Sequence, residues 1–176
     1  MSPLTNALIS YWHRLPSESP AARRKALDTT RERIRAGLEP PAALVPFALG
    51  DVDESIVIAA TRDYVAAAAS GTGATDEVIT EVIDWVRRGL ALNRGAVFGA
   101  LLALEDERVV ERLAALRLVL SAAEVEALGR VLGGEPGPRA TAFLRDWLEL
   151  IGEGLLGRER RALTGLLEAG RNARAA

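Results

Sequence analysis

Apolar residues recur at helical spacing from one end of this 176-residue chain to the other, and helix-stopping residues interrupt them at short intervals. Two stretches carry the same design. Residues 54–65 read ESIVIAATRDYV and residues 107–118 read ERVVERLAALRL, an offset of 53 positions. Each follows an acidic turn and runs into a helix with an apolar stripe. The 49% hydrophobic content comes mostly from alanine and leucine, which are strong helix formers. Aromatic residues make up 5%, and β-branched residues form no alternating runs. The chain therefore reads as all-α.

About ten helices of roughly 10–17 residues follow from the spacing and its punctuation. The first covers about 4–15 and stops at Pro16. Ser19 and Pro20 open a second through about 38, with Leu27, Thr30, Ile34 and Leu38 on one stripe. A third covers about 41–49. Asp51 or Asp53 caps a fourth, about 54–69. Thr75 caps a fifth, whose inner face is Ile79, Ile83, Val86 and Leu90. Asn93 starts a sixth through 104, and Asp106 starts a seventh. Ser121 and Glu124 form a capping box for an eighth. Pro138 lies in the first turn of a ninth, which carries Phe143 and Trp147. A tenth covers about 158–170. The connections are too short to separate independent domains, so residues 1–176 form a single helical domain.

The segments VPFALGDVDESIVIAATRDYV at 45–65 and VFGALLALEDERVVERLAALRLVL at 97–120 resemble the HEAT and armadillo class of helical repeats. Each has an apolar helix, an acidic turn and a second helix. The resemblance implies a HEAT-like stack of helix pairs, an α-α superhelix, over residues 39–170. Residues 1–38 form an atypical N-terminal pair, and 171–176 form a fraying tail. It implies partner binding on a groove of stacked helices, and no reaction. The offset of 53 exceeds the roughly 40–47 of such repeats, and an extra helix at 76–90 lies between the matched pairs. A compact irregular helical bundle is the alternative.

Several chemistries lack their residues. There is no cysteine and one histidine, His13, too few for a zinc site. The turn DVDES at 51–55 fails as a calcium loop, because Ile56 stands where glycine must turn the chain and Arg62 where the bidentate glutamate belongs. Its plain reading is a capped helix start. Lys25 is the sole lysine, and Arg24 precedes it where a phosphate loop needs glycine. GTG at 71–73 and GGEPG at 133–137 follow no strand and read as helix breakers. No catalytic residue, metal ligand or cofactor is implied. The absence of cysteine, of a signal-like start and of a run of roughly 20 apolar residues points to a soluble cytoplasmic protein without membrane contact.

The net charge of −2 is unevenly spread: +4 over residues 14–35, −9 over 36–157 and +3 over 158–176. Arg24, Arg31 and Arg35 fall near one face of the second helix and make its best surface candidate. Such a stripe suits phosphates or nucleic acid. Asp28 and Glu32 lie among these arginines, and the acidic middle offers them further partners, so an intramolecular face is favoured. Trp12, beside Tyr11, is a candidate anchor for a protein partner. The function expected is a non-catalytic protein-binding or scaffold module, with Trp12, Arg24, Arg31 and Arg35 as the candidate interaction surface. Nucleic-acid or phosphate binding through residues 20–38 is the alternative.

Overall fold

The computed structural model describes residues 3–72, 75–116, 120–133, 136–151 and 157–172. These form ten α-helices and no strand. They are α1 (Pro3–Arg14), α2 (Pro20–Arg35), α3 (Val45–Gly50), α4 (Glu54–Thr72), α5 (Thr75–Arg87), α6 (Arg94–Leu102), α7 (Glu107–Leu116), α8 (Ala122–Val131), α9 (Pro138–Ile151) and α10 (Gly157–Asn172). A single 3-10 turn, Pro41–Leu44, leads into α3. Among the described residues no helix is long and apolar enough to cross a membrane. The turns at 70–75 and 133–137, the end of the second matched stretch and the last residues of the tail lie partly or wholly outside the described residues.

The helix starts are set by side chains that satisfy orphan amides. Ser19 accepts the Ala22 amide, with Pro20 at the first helical position. Asn93 accepts the Ala96 amide. Asp106 accepts the Arg108 amide at 3.0 Å. Ser121 and Glu124 form the reciprocal capping box. Of the two aspartates that could open α4, Asp53 does so: its Oδ1 accepts the Ser55 amide at 3.0 Å and the Ile56 amide at 3.4 Å. Two helix ends fall short of their expected places. The second helix ends at Arg35, Gly37 takes a left-handed φ of 69°, and Leu38 is 70% exposed rather than on the inner stripe. The fifth ends at Arg87, and Gly89 at φ 66° turns Leu90 out of the inner face.

The helices pack in two rows. α2, α4, α6, α8 and α10 adjoin in sequence, and α5, α7 and α9 adjoin beside them. At the N-terminal end α1 packs on α3, and α3 packs on α4. Neighbours within the first row run in the same direction where their contacts can be followed. Arg24 reaches Ser55 and Arg31 reaches Asp63, so α2 and α4 advance together. Gly95 lies against Glu124 and Gly99 against Val131, so α6 and α8 do likewise.

This packing revises one equivalence read from the sequence. The matched stretches 54–65 and 107–118 belong to α4 and α7, which lie in different rows. Three helix steps separate them, and an odd number of steps changes row. Like-placed neighbours are instead α4, α6 and α8.

α6 is the centre of the core. Every residue from Gly95 to Leu102 is buried, as a helix apolar on all sides requires. Gly95 and Gly99 let α8 approach: a β-carbon on Gly95 would lie 2.3 Å from the Glu124 carbonyl oxygen, and one on Gly99 would lie 2.7 Å from Val131 Cβ. Phe98 meets Phe143 and Trp147 of α9 with ring centres 5.8 and 5.5 Å away, a spacing that favours tilted aromatic packing.

Candidate functional site

The basic residues of α2 turn inward to the acids of the chain's middle. Arg23 is buried, and its Nε and Nη2 donate to the two carboxylate oxygens of Asp51 at 2.9 and 3.1 Å. Its Nη1 donates to the Glu18 carbonyl at 2.7 Å. Tyr11 Oη also donates to Asp51, and the Asp53 amide does so at 2.8 Å. Burial pushes the Asp51 carboxyl up, but the hydrogen bonds from Arg23, Tyr11 and the Asp53 amide outweigh it and hold the carboxyl below the ordinary aspartate value. Burial, reinforced by the hydrogen bond to Asp51, pushes the Tyr11 phenol far above its ordinary value. Every oxygen of Asp51 is therefore occupied, and the group is a structural clamp between α1, α2 and the start of α4.

The other members of the stripe are partly spent in the same way. Arg24 donates to Ser55 Oγ at 2.6 Å and lies 3.7 Å from Asp53. Arg31 bridges Asp28 at 2.6 Å and also pairs with Asp63 of α4. Arg33 pairs with Glu39 at 2.7 Å. Arg35 is exposed and has no such partner among the described residues.

A groove opens between this helix and α4. One hollow of about 290 Å³ is lined by Arg31, Ile34 and Arg35 of α2 and by Ala66, Ala67 and Ser70 of α4. A second, of about 540 Å³, continues along α4 past Ser55, Ala59 and Arg62, with Ile58 and Leu104 at its edge. The two hollows share Arg31, Asp63 and Ala66, so they form one channel crossed by the Arg31–Asp63 bridge. Its floor is the outward face of α4. From Ser55 to Ser70 that face is about 22 Å long at the α-helical rise. Ala66 is exposed, and Ile58, Ala59 and Ala67 are half-buried. Arg62 stands exposed at the rim and has no ion-pair partner among the described residues.

Of the residues singled out in the sequence, Arg31 and Arg35 line this groove, and Arg24 braces its Ser55 end. Trp12 lies elsewhere. Its indole covers Gly50, where a β-carbon would be 3.0 Å from Trp12 Nε1, and it is 39% exposed. The exposed Val52 follows Gly50 by two residues, and the Leu92 amide donates to the Leu49 carbonyl at 2.8 Å. Trp12, Val52 and Leu92 thus surround the same short turn. His13 is exposed at the end of α1.

Arg62 enters the sequence reading only as a misfit in a calcium loop, and Ala59 and Ala66 do not enter it. Their signal is a deficit. α4 spans 19 residues, and Glu54, Arg62 and Asp63 are the charged ones. A helix with one face in water ordinarily carries charges along that face. Compared with protein-family models, with curated proteins and with solved structures, the chain shows no match.

Proposed function

We propose that the protein is a non-catalytic interaction module of the stacked helical-repeat kind, which binds another protein in the groove along α4. One observation carries the reading: a groove runs along the outward face of α4, where the half-buried Ile58, Ala59 and Ala67 and the exposed Ala66 lie between Ser55, Arg62, Asp63 and Ser70. The row in which α2, α4, α6, α8 and α10 contact one another in turn supports a stack. In a stack, surface grooves between successive helices are the usual places for partners. The cations of α2 favour this reading over a phosphate-binding face, since Arg23, Arg24, Arg31 and Arg33 already face carboxylates.

Site-specific crosslinking in the native source tests it. A photo-reactive residue at Ala66 should give a discrete protein adduct. The same residue at Glu77, exposed on α5 away from the groove, should not. Adducts of equal yield at both positions, or at neither, would count against the reading.

A further inference from the structure

Resting on that reading of the groove, we infer that its occupant is an acidic amphipathic helix of a partner protein. The floor supplies shape. It is about four helical turns long, and Ala59, Ala66 and Ala67 in it are small enough to let a second backbone approach closely. The chain presents no strand among its described residues, so a partner cannot dock here by extending a sheet. A helix laid in the groove would place small or aliphatic side chains on Ala59, Ala66 and Ala67 at spacings of three, four and seven.

The rim supplies charge. Arg35 borders one hollow and Arg62 the other, and both are exposed and without partners among the described residues. The acid in the channel, Asp63, is already paired with Arg31. The charged residues lining the channel, Arg31, Arg35, Arg62 and Asp63, sum to +2, or to +1 with Asp28, which shares Arg31, on a chain whose net charge is −2. Glutamates or aspartates flanking the apolar face of the incoming helix would answer Arg35 and Arg62. A basic helix would meet two uncompensated guanidinium groups. Arg31, held by Asp28 and Asp63, keeps the wall between the hollows in place rather than competing for the ligand.

The test uses the full chain and synthetic helical peptides of about 16 residues, followed by fluorescence anisotropy at low salt. One peptide has a leucine and alanine face flanked by glutamates. A second replaces the glutamates with lysines, a third scrambles the first, and a single-stranded oligonucleotide is the polyanion control. The acidic amphipathic peptide should bind best. Arg35→Glu with Arg62→Glu should weaken it about tenfold or more and should improve binding of the lysine peptide. Ala66→Trp, which fills the floor, should abolish both. Equal binding of the acidic and lysine peptides, with Ala66→Trp still blocking them, would overturn the acidic partner but keep the groove. No effect of Ala66→Trp would overturn the groove itself. Tighter binding of the scrambled peptide or of the oligonucleotide would show that the arginines attract polyanions without a helix, and would overturn the inference. Circular dichroism of each variant separates lost binding from lost fold.

Discussion

Asp51 shows how much a single side chain fixes in this protein. It is fully buried, yet Tyr11, Arg23 and the Asp53 amide satisfy both of its oxygens. A buried ion pair adds little net stability when whole, because desolvating two charges offsets their attraction, but removing one partner strands a charge in the core. Arg23→Met should therefore cost about 3–5 kcal/mol in urea unfolding. Adding Asp51→Asn should restore part of that loss, and strictly additive costs would refute the clamp. The pair also sets a pH dependence. The folded carboxyl lies below its unfolded value of about 3.9. Its contribution is thus complete above that value and lost as pH falls through the lower folded one. Asp51→Asn should flatten the stability decline below about pH 4. The sequence offered Asp51 and Asp53 as equal candidates to open α4. Local rules could not separate them, because what distinguishes Asp51 is Arg23, 28 residues away. The same holds for Arg31, whose partner Asp63 lies 32 residues on. Pairing across elements is set by packing, and spacing along one helix does not reveal it.

At the scale of elements, α6 and α8 pack closely at Gly95 and Gly99, and glycine makes it possible. In an unencumbered helix, replacing glycine with alanine gains up to about 1 kcal/mol. Gly95 and Gly99 should reverse that sign. The Gly95 neighbour is the Glu124 backbone, which cannot move aside, whereas the Gly99 neighbour is the Val131 side chain. Gly95→Ala should thus destabilise by about 1–3 kcal/mol, and Gly99→Ala by less. Gly165 of α10 is the control: a β-carbon there meets nothing within 4 Å, so Gly165→Ala should be neutral or stabilising. Thermal unfolding of the three variants checks the ranking, and equal shifts would contradict it. The elements themselves were largely legible. Ser19–Pro20, Asn93, Asp106 and the Ser121–Glu124 box mark helix starts because capping is a local transaction between one side chain and the next few amides. Helix ends were less legible. Leu38 and Leu90 continue the apolar period in sequence, but Gly37 and Gly89 take left-handed conformations and send both to the surface. The groove was half-legible: its arginines stood out as a stripe, while its alanine floor looked like ordinary helix.

At the scale of the whole molecule, the uneven charge along the chain becomes internal pairing. The basic stretch of α2 lies against the acidic start and middle of α4, through Arg23–Asp51, Arg24–Asp53 and Arg31–Asp63. Arg130 of α8 also reaches back to Glu54 at the start of α4. These contacts tie the first row together, and α6 lies inside it between α4 and α8, with α5 and α7 beside it. A stack of the kind proposed has a characteristic order of opening, because its end helices have a neighbour on one side only. Native-state hydrogen exchange should therefore show the slowest amides in α6, intermediate ones in α4 and α8, and progressively faster ones toward α1–α2 at one end and α9–α10 at the other. A single common opening free energy across all these helices would instead mean one indivisible core, and would favour the closed bundle. The gradient also bears on the groove. Its floor, α4, lies next to α6, the helix expected to exchange slowest, while its wall, α2, lies toward the end of the row. A bound helix should slow exchange more in α2 than in α4, because α2 has more opening left to suppress.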